Sequence, residues 1–283
     1  MKLVAVVLNW NGGEDTLRCL ESLRGVETIC VDNGSTDGSP EQVAARFPET
    51  ELVRLGENAG FAGGNNAGIR RALERGADWV LLVNNDAVAN AGISDALARA
   101  AAARPDAGVL ACKVFRPDGR LQYAGARIGR LGYSGRSRGY GRPDSYHELE
   151  DTERADGAAM AVSRAAVERA GLLDEALFAY VEDVEWSLRI RRAGFAVVFV
   201  PDARVVHEGT ASTGGPGSAT ALYYDTRNTI AVWERHLPLP RGATAARRLL
   251  IVAAHLIQGR SPERARAVLR GWRDAASGRT GPA

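Results

Sequence analysis

Polar residues suited to binding a pyrimidine nucleotide follow the first two apolar runs of the chain, Lys2–Leu8 and Glu27–Val31. The candidates are Asn9, Trp10, Asn11, Asp32 and Asn33. A carboxylate such as that of Asp32 can accept a hydrogen bond from the imide N–H of a pyrimidine, and asparagine side chains can bind the ring carbonyls. The same residue types also occur in capped turns. Both interpretations stay open on these residues alone.

A glycine-rich segment, 60–68, leads into the third predicted helix, which we expect to span Asn65–Arg75. Backbone N–H groups at a helix N-terminus favour a diphosphate. The candidate contacts are Gly60, Gly63, Asn65 and Asn66. The alternative is close packing of this helix against the sheet. The glycine spacing is not G-x-G-x-x-G and does not follow the first strand, which argues against a dinucleotide dehydrogenase.

A third polar cluster, 84–86, ends the apolar run Trp79–Val83 with two asparagines and Asp86. Oxygen donors of this kind suit Mg²⁺ or Mn²⁺, whose remaining positions can be filled by phosphate and water. One carboxylate is too few to hold such an ion tightly, so we expect the metal to bind together with the nucleotide. The alternative is that Asp86 caps the next helix. It is weakened because Ile93, the first periodic residue of that helix, comes several positions later.

Paired acids, Glu182 and Asp183, follow the apolar and aromatic segment Leu177–Val181. Like charge and partial burial would raise the pKa of at least one of them toward neutrality, as a general base requires. Together with Glu185, the two acids would equally suit the first turn of a helix, because the helix dipole favours negative charge there. The two interpretations are compatible.

The elements that must position these residues alternate regularly over about the first 115 residues. Apolar runs of strand length are separated by segments with helical periodicity, which predicts βαβ crossovers and a mostly parallel sheet with helices on both faces. In such sheets ligands bind at the carboxyl ends of the strands, where the polar clusters fall. We therefore predict an α/β, Rossmann-like fold, followed beyond Ser218 by a helical extension.

Composition excludes several classes of protein. Hydrophobic residues make up 45% and charged residues 25% of the chain, which indicates a folded protein with a sizeable core. The three cysteines have no C-x-x-C spacing, which argues against a disulfide scaffold or a zinc knuckle and favours a reducing cytoplasm. No apolar stretch approaches the roughly 18 residues that a membrane-spanning helix needs.

Charge is distributed unevenly along the chain. The net charge is +2, but residues 238–283 contain nine arginines and two acids, a balance of +7. This basic tail, which includes Arg247, Arg260 and Arg270, has two interpretations. Its helices could pack an apolar stripe on the rest of the chain or on a partner subunit, which we favour, or rest on anionic lipid. The acidic remainder of the chain and the lack of a recognisable module argue against nucleic acid as a partner.

Four motifs occur in an order expected of one enzyme family: N-W-N-G, V-D-N-G-S-T-D, N-x-G-F-A-G-G-N-N-x-G and L-L-V-N-N-D. Together they resemble family 2 glycosyltransferases of the GT-A fold, especially the rhamnosyltransferase-like branch. The resemblance covers roughly residues 3–235 and continues in Gly157-Ala158, Glu182-Asp183, Val206-His207 with Ser212, and Arg227-Asn228.

The resemblance implies a role for each matching residue. Asp32 would contact the nucleobase, Asp86 and His207 would bind Mg²⁺ or Mn²⁺, and Asp183 would be the catalytic base. One departure is that Asn84 replaces the first acid of the D-x-D metal motif frequent in the family. The donor side would further include Asn85 and Arg227, and the acceptor side Gly157, Ala158 and Glu182.

The resemblance also implies domains and a reaction. Residues 1–217 would form the catalytic domain, with a nucleotide-sugar half of about 1–115 and an acceptor half of about 116–217, and 218–283 the helical extension. The expected reaction is metal-dependent, inverting transfer of L-rhamnose or another hexose from a dTDP- or UDP-sugar to a hydroxyl of a cell-surface polysaccharide, glycolipid or natural product. We expect a cytoplasmic enzyme, with peripheral contact with the inner face of the membrane and homo-oligomerisation both left open.

Two alternative functions have specific sequence arguments against them. A catalytically inactive nucleotide-sugar binding protein would not need Asp183 and His207. A sugar nucleotidyltransferase typically has a basic, glycine-rich loop after the first strand, but here no basic residue follows that strand before Arg18.

Overall fold

The computed structural model of the chain describes residues 1–129, 137–209, 217–258 and 261–283, so Ser212 and Arg260 lie outside the described residues. Within these ranges, one sheet of ten strands is flanked by helices. The strands are β1 (Leu3–Asn9), β2 (Glu27–Asp32), β3 (Glu51–Arg54), β4 (Trp79–Asn84), β5 (Ala87–Ala89), β6 (Ala107–Phe115), β7 (Leu121–Tyr123), β8 (Glu150–Thr152), β9 (Ala159–Ser163) and β10 (Ala196–His207). The helices are α1 (Gly13–Ser22), α2 (Ser39–Arg46), α3 (Gly60–Glu74), α4 (Ile93–Ala103), α5 (Arg164–Ala170), α6 (Glu182–Arg192), α7 (Ala219–His236), α8 (Arg241–Gln258) and α9 (Pro262–Ala276), with a 3-10 turn at Glu175–Leu177.

The sheet has the order β3-β2-β1-β4-β9-β6-β10-β5, with β7 paired to β6 and β8 paired to β10. β1 pairs in parallel with β2 and β4, β2 with β3, and β6 with β10. β9 runs antiparallel between β4 and β6. The mostly parallel sheet predicted from the alternating pattern is confirmed. The carboxyl ends of β1, β2 and β4 therefore lie along one edge.

The apolar runs of the sequence form the central strands because both faces of the sheet are covered. Residues Val4 to Val7 of β1 are all 0% exposed, and Val80 and Leu81 of β4 are equally buried. Since consecutive strand residues point to opposite faces, uninterrupted burial requires packing on both sides.

Helix α3 begins at Gly60, earlier than the predicted Asn65, so the glycine-rich segment is part of the helix. A Cβ atom on Gly64 would lie 2.3 Å from a methyl of Leu8, and one on Gly68 would lie 2.2 Å from a methyl of Val6. These glycines allow α3 to approach β1 closely. The packing alternative is therefore confirmed for this part of the segment.

Strand β10 runs over twelve residues, from Ala196 to His207. Its pairing with β6 shifts between Val200 and Arg204, and its last residues pair antiparallel with β5, so that His207 lies opposite Ala87. This extension brings His207 beside the residue that directly follows Asp86.

The C-terminal helices pack on one another and leave an apolar face exposed. Ile251 and Val252 of α8 are buried in a cluster with Leu222 of α7 and Val268 of α9. The exposed large apolar side chains of α8 and α9 are Leu249, Leu250, Ile257, Leu269 and Trp272. No helix among the described residues is both long and apolar enough to cross a membrane.

Candidate active site

A buried network around Asn9 joins the ends of β1 and β2. Asn9 is 0% exposed and lies opposite Asp32 in the parallel ladder. Its Nδ2 donates to Ser39 Oγ at 2.8 Å and lies 3.4 Å from Asp32 Oδ1. Its Oδ1 accepts from Thr16 Oγ1 at 2.7 Å. The side-chain amide of Asn9 is therefore hydrogen-bonded within the protein, and it orients Asp32.

The edge beside Asp32 carries two more accessible side chains. Asp32 itself is nearly buried. Its Oδ1 accepts from the Ser35 N–H at 3.2 Å, a contact of the capped-turn type that the sequence had left open. Trp10 is half-buried and Asn11 is exposed. Asn11 adopts φ +52°, a conformation that asparagine tolerates, and its Oδ1 accepts from Thr36 N–H. Trp10 and Asn11 are thus accessible beside the carboxylate.

Asn33 and Asn66 hold helix α3 in place. Asn33 Nδ2 donates to Asn58 Oδ1 at 3.0 Å and to the Gly60 carbonyl at 3.2 Å. Asn66 Nδ2 donates to the Leu173 carbonyl at 2.9 Å, while its Oδ1 accepts from the N–H of the same residue. Both side chains are buried. They connect α3 to β2 and to the segment that leads toward α6.

The other predicted residues of the glycine-rich segment also make contacts inside the protein. Asn65 Nδ2 donates to the Phe61 carbonyl one turn earlier at 2.9 Å. Gly60 has φ +75°, and a Cβ atom there would lie 2.5 Å from the Phe178 carbonyl oxygen. A Cβ atom on Gly63 would lie 2.9 Å from Ala59 Cβ. Glycine at 60 is therefore required by conformation and by the close approach of the segment before α6.

Asp86 and His207, predicted as metal ligands, lie in direct contact. His207 Nε2 is 3.1 Å from Asp86 Oδ1, and both side chains are largely buried. The second oxygen of Asp86 accepts from the Gly209 N–H. Asp86 does not cap α4, because Gly92 occupies the N-cap position, so that alternative is wrong. Asn85 is buried next to this pair and donates to Thr16 Oγ1, which connects the end of β4 to the Asn9 network.

Gln122 contacts the other ring nitrogen of His207. The Gln122 side-chain amide lies 3.0 to 3.1 Å from His207 Nδ1. Burial lowers the pKa of His207, but the hydrogen bond and negative charge of Asp86 outweigh burial, so the pKa is raised above its ordinary value of 6.5. A partner on Nδ1 fixes the ring orientation and leaves Nε2 directed at Asp86, as a metal-binding histidine requires.

Asp183 lies at the start of α6, and two backbone amides fix its carboxylate. Its Oδ2 accepts from Gly157 N–H at 3.0 Å and its Oδ1 from Val184 N–H at 2.7 Å. Arg154 Nη1 lies 3.8 Å from Oδ2. Burial raises the pKa of Asp183, Arg154 opposes this, and the charge of Asp156 reinforces it, so the net direction is upward. A raised pKa improves a carboxylate as a general base.

Glu182 lies beside Asp183 and is 6% exposed. Burial and the negative charge of Asp183 raise the pKa of Glu182 to about 8. Its Oε2 has no hydrogen-bond partner among the described residues. The acids also occupy the first turn of α6, so the helix-dipole interpretation holds as well.

These groups form one continuous row along the edge of the sheet. The Asn84 N–H donates to the Ala158 carbonyl at 3.0 Å, which places the predicted acceptor-side backbone against the end of β4. The next residue along the row, Gly157, contacts Asp183. Nucleotide, metal and base candidates are therefore connected through β1, β4 and the start of β9.

A Glycosyl transferase family 2 model matches residues 4–175. This chain belongs to glycosyltransferase family 2. It is 31% identical to the N-acetylglucosaminyl-diphospho-decaprenol L-rhamnosyltransferase of Mycobacterium tuberculosis, over 91% of this chain and 95% of that protein. It is 27% identical to the dTDP-rhamnosyl transferase RfbF of Shigella flexneri, over 75% of this chain and 72% of that protein.

The fold of this glycosyltransferase is GT-A. The mannosyltransferase PcManGT from Pyrobaculum calidifontis, solved in complex with GDP-Man and Mn²⁺, superposes with a TM-score of 0.58 at 20% identity, covering 98% of this chain and 75% of that chain. The overall fold of this chain is therefore shared with that mannosyltransferase.

Arg227, expected near the donor diphosphate, has a different set of contacts in this glycosyltransferase. It is 1% exposed, its Nε donates to Asn228 Oδ1, and its Nη2 donates to the Leu177 carbonyl, both at 2.9 Å. Its Nη1 donates to the Gly281 carbonyl at 2.5 Å. The guanidinium faces the segment before Asp183, not an open surface.

Gln122 beside His207 and Arg154 beside Asp183 were missed from the sequence. Asn228 was included in the R-N motif, but its contacts with the segment before Asp183 were not predicted. The partners of Gln122 and Arg154 are distant in the sequence. No local pattern could have assigned them.

Proposed function

We propose that this glycosyltransferase moves L-rhamnose, or another hexose, from a dTDP- or UDP-sugar to an acceptor hydroxyl with inversion and with a divalent cation. The observation that carries the proposal is the continuous row of contacts from Asp32 through Asp86 and His207 to Asp183. The choice of rhamnose is supported by the names of the two relatives, which specify rhamnosyl transfer.

On the donor side, Asp32 accepts the imide N–H of the pyrimidine, beside the accessible Trp10 and Asn11. We assign Asn9, Asn33 and Asn66 to positioning this edge, because their amides are bonded within the protein. Asn85 donates to Thr16 of the Asn9 network. Gly60, Gly63 and Asn65 make their close contacts with the start of α3 and with Phe178. Specificity for the nucleobase then depends on Asp32 and the accessible Trp10 and Asn11, which the buried asparagines hold in place.

Asp86 and His207 fit a Mg²⁺ or Mn²⁺ that binds together with the donor diphosphate. A carboxylate oxygen and an imidazole nitrogen 3.1 Å apart can converge on one ion, and phosphate oxygens and water suit the remaining positions. Among the described residues, no group of three or more acidic, histidine or cysteine side chains could hold a metal, which agrees with a shared site. When bound, the ion would neutralise negative charge on the leaving diphosphate.

Asp183 takes the proton of the acceptor hydroxyl while the hydroxyl oxygen bonds to the anomeric carbon and the carbon–phosphate oxygen bond breaks. The amides of Gly157 and Val184 fix the carboxylate for this transfer. With this single base, the acceptor oxygen attacks the anomeric carbon from the face opposite the nucleotide, so the configuration at that carbon inverts. Burial and the charge of Asp183 raise the pKa of Glu182, and in its protonated form Glu182 can donate a hydrogen bond to the acceptor.

The acceptor that we propose is a lipid diphosphate-linked N-acetylglucosamine, supported by the name of the mycobacterial relative. The exposed apolar side chains of α8, Leu249, Leu250 and Ile257, recur at helical spacing. The exposed arginines of α9 are Arg264, Arg266, Arg270 and Arg273. We propose that these helices touch the anionic inner face of the membrane, where such an acceptor is held.

A donor panel tests the transferase activity. The protein is incubated with a synthetic lipid diphosphate-linked N-acetylglucosamine, Mn²⁺ and either dTDP-L-rhamnose, UDP-glucose or UDP-N-acetylglucosamine. Proton NMR of the product reports the anomeric configuration, and we expect inversion with dTDP-L-rhamnose as the best donor. A retained configuration would exclude the single-base mechanism. Tight nucleotide-sugar binding with no product from any donor would favour the inactive binding protein.

Sedimentation with vesicles tests the membrane contact. We expect the protein to bind phosphatidylglycerol vesicles but not phosphatidylcholine vesicles, and to bind less at high salt, because the attraction is partly electrostatic. The variant Leu249→Ser with Ile257→Ser should release it, whereas Tyr140→Ser, at another exposed side chain, should not. A concentration-dependent dimer that the same double variant disrupts would instead assign this face to a second copy of the chain.

A further inference from the structure

The backbone that leads into Asp183 adopts an unfavourable conformation. We name residues 177–181 the base segment. Its residues Phe178, Tyr180 and Val181 have φ of +65°, +69° and +72°, although none is glycine. The left-handed region is sparsely populated by such residues, and least by a β-branched one such as Val181. Surrounding contacts must therefore hold the base segment in place.

Asn228 of α7 supplies those contacts through one side chain. Its Nδ2 lies 2.9 Å from the Leu177 carbonyl, 2.7 Å from the Ala179 carbonyl and 2.8 Å from the Tyr180 carbonyl. The amide has two hydrogens, so at least one is shared between carbonyls. Asn228 is 1% exposed. The Leu177 carbonyl also accepts from the Ala179 N–H at 2.8 Å, whereas the Ala179 and Tyr180 carbonyls lie outside any helix or strand and need a side-chain donor of this kind.

Arg227 fixes the direction in which the Asn228 amide points. Its Nε donates to Asn228 Oδ1, which leaves the Asn228 NH₂ group facing the base segment. Its Nη2 donates to the same Leu177 carbonyl that Asn228 contacts. The two neighbouring residues therefore act on the base segment together.

The C-terminal residues close this arrangement from the other side. Gly281 accepts from Arg227 Nη1 at 2.5 Å and donates its N–H to the Ala176 carbonyl at 2.8 Å. The Ala283 N–H donates to Tyr224 Oη at 2.8 Å, and the Tyr224 ring stacks on Phe178 with centroids 5.5 Å apart. The last residues of the chain thus connect the residue before the base segment to the helix that clamps it.

We propose that Asn228, oriented by Arg227 and by the C-terminal residues 281–283, is a positioning residue for Asp183. It keeps the base segment in its left-handed conformation, so that the Asp183 carboxylate stays on the Gly157 amide and in line with the acceptor. The inference rests on the proposed function, in which Asp183 is the base. A displacement of about 1 Å in a catalytic group can cost about 100-fold in rate, so loss of the clamp should lower kcat while leaving donor binding intact.

The main test compares Asn228→Leu with a matched control, Thr226→Val. Both residues are buried on α7, and each substitution keeps the size of the side chain and removes its hydrogen bonds, but Thr226 contacts His255 and not the base segment. We expect Asn228→Leu to lower kcat by about 100-fold, with the Kd for dTDP and Mn²⁺ within about threefold of the wild type. Thr226→Val should lower Tm but keep kcat.

A second variant tests the proposal in case Asn228→Leu does not fold. A chain that ends at Thr280 lacks only the contacts of Gly281 to Ala283, and we expect kcat to fall by about five- to tenfold at an unchanged Kd for dTDP. Wild-type kcat in a folded Asn228→Leu protein, or equal kcat losses in Asn228→Leu and Thr226→Val at equal Tm, would overturn the proposal.

Hydrogen exchange separates failure of this inference from failure of the proposed function. Amides of residues 177–185 should exchange at least tenfold faster in Asn228→Leu and in the shortened chain than in the wild type. Faster exchange together with a wild type that transfers no sugar would count against the transferase mechanism only. Unchanged exchange in these amides would count against the clamp, whatever the activity.

Discussion

The buried asparagines around β1, β2 and α3 differ from the two acids at the start of α6 in how their side chains are hydrogen-bonded. Asn9, Asn33 and Asn66 are buried and bonded almost entirely to the protein. Glu182 is also buried and Asp183 is partly buried, but the pKa of each is raised, and Glu182 Oε2 has no hydrogen-bond partner among the described residues.

This difference follows from the chemistry of the side chains. An asparagine amide is neutral, so burial costs little once its donors and acceptor are paired. A buried carboxylate with few partners keeps an unfavourable charge and gains affinity for a proton. The molecule therefore builds its scaffold from paired asparagines, whereas at the start of α6 it holds two acids of raised pKa, of which Glu182 is incompletely hydrogen-bonded. Substitutions in the two regions should separate loss of stability from loss of rate.

The largest expected effect concerns Asp183, the proposed base. Asp183→Asn should lower kcat by about 10²- to 10⁴-fold, because the amide cannot accept the acceptor proton. The Kd for dTDP in the presence of Mn²⁺, measured by calorimetry, should stay nearly constant. Asp202→Asn, at an exposed carboxylate, is the control. A large loss of dTDP affinity with normal kcat would move Asp183 to the donor side.

Removal of the imidazole proposed to bind the metal comes next. His207→Ala should weaken Mn²⁺-dependent binding of dTDP by about 10- to 100-fold, because one of the two proposed protein ligands is lost. Titration of Mn²⁺ in the presence of dTDP measures the effect. His147→Ala, at an exposed histidine, should leave the titration unchanged. Equal Mn²⁺ affinity in wild type and His207→Ala would remove His207 from the metal site.

The scaffold region should respond in stability. Asn66→Ala leaves the buried N–H and carbonyl of Leu173 without their partner, and we expect the free energy of unfolding to fall by about 2–3 kcal/mol. Urea denaturation measures it, with Gln258→Ala at the exposed end of α8 as the control. The residual folded protein should retain kcat. A stable Asn66→Ala protein with poor dTDP binding would show that Asn66 touches the donor.

The last expected effect concerns the dependence of stability on pH. The pKa of Glu182 rises from its ordinary value of 4.5 to about 8 on folding. Between these values the unfolded chain has lost a proton that the folded chain keeps, so the stability contributed by Glu182 is present below about pH 4.5 and falls as pH rises toward 8. The slope is at most about 1.4 kcal/mol per pH unit.

The stability of Glu182→Gln relative to the wild type should therefore increase as pH rises from 5 to 8. The difference in Tm between the two proteins, measured at matched ionic strength, reports this change. Glu263→Gln, at an exposed glutamate of α9, should show no such trend. A difference between Glu182→Gln and the wild type that is constant over this pH range would mean that Glu182 is already ionised.

Sequence patterns predicted the candidate site well where the signal is local. Apolar runs gave the strands β1, β2 and β4, and the polar residues that end them do lie along one edge. The start of α3 was predicted too late, because glycine is a poor helix former and its role in packing against Leu8 and Val6 depends on the sheet. The antiparallel direction of β9 was not predicted, since buried strands of either direction have the same apolar composition.

The sequence by itself determined the order of strands and helices, the polar ends of the strands and the acidic start of α6, because periodicity and turn chemistry act between neighbouring residues. Only the tertiary structure decided which asparagine amides are hydrogen-bonded within the protein. It also decided that Arg227 and Asn228 face the base segment. Those contacts join residues some fifty positions apart. Such partners meet only when the sheet, α7 and the C-terminal residues have packed together.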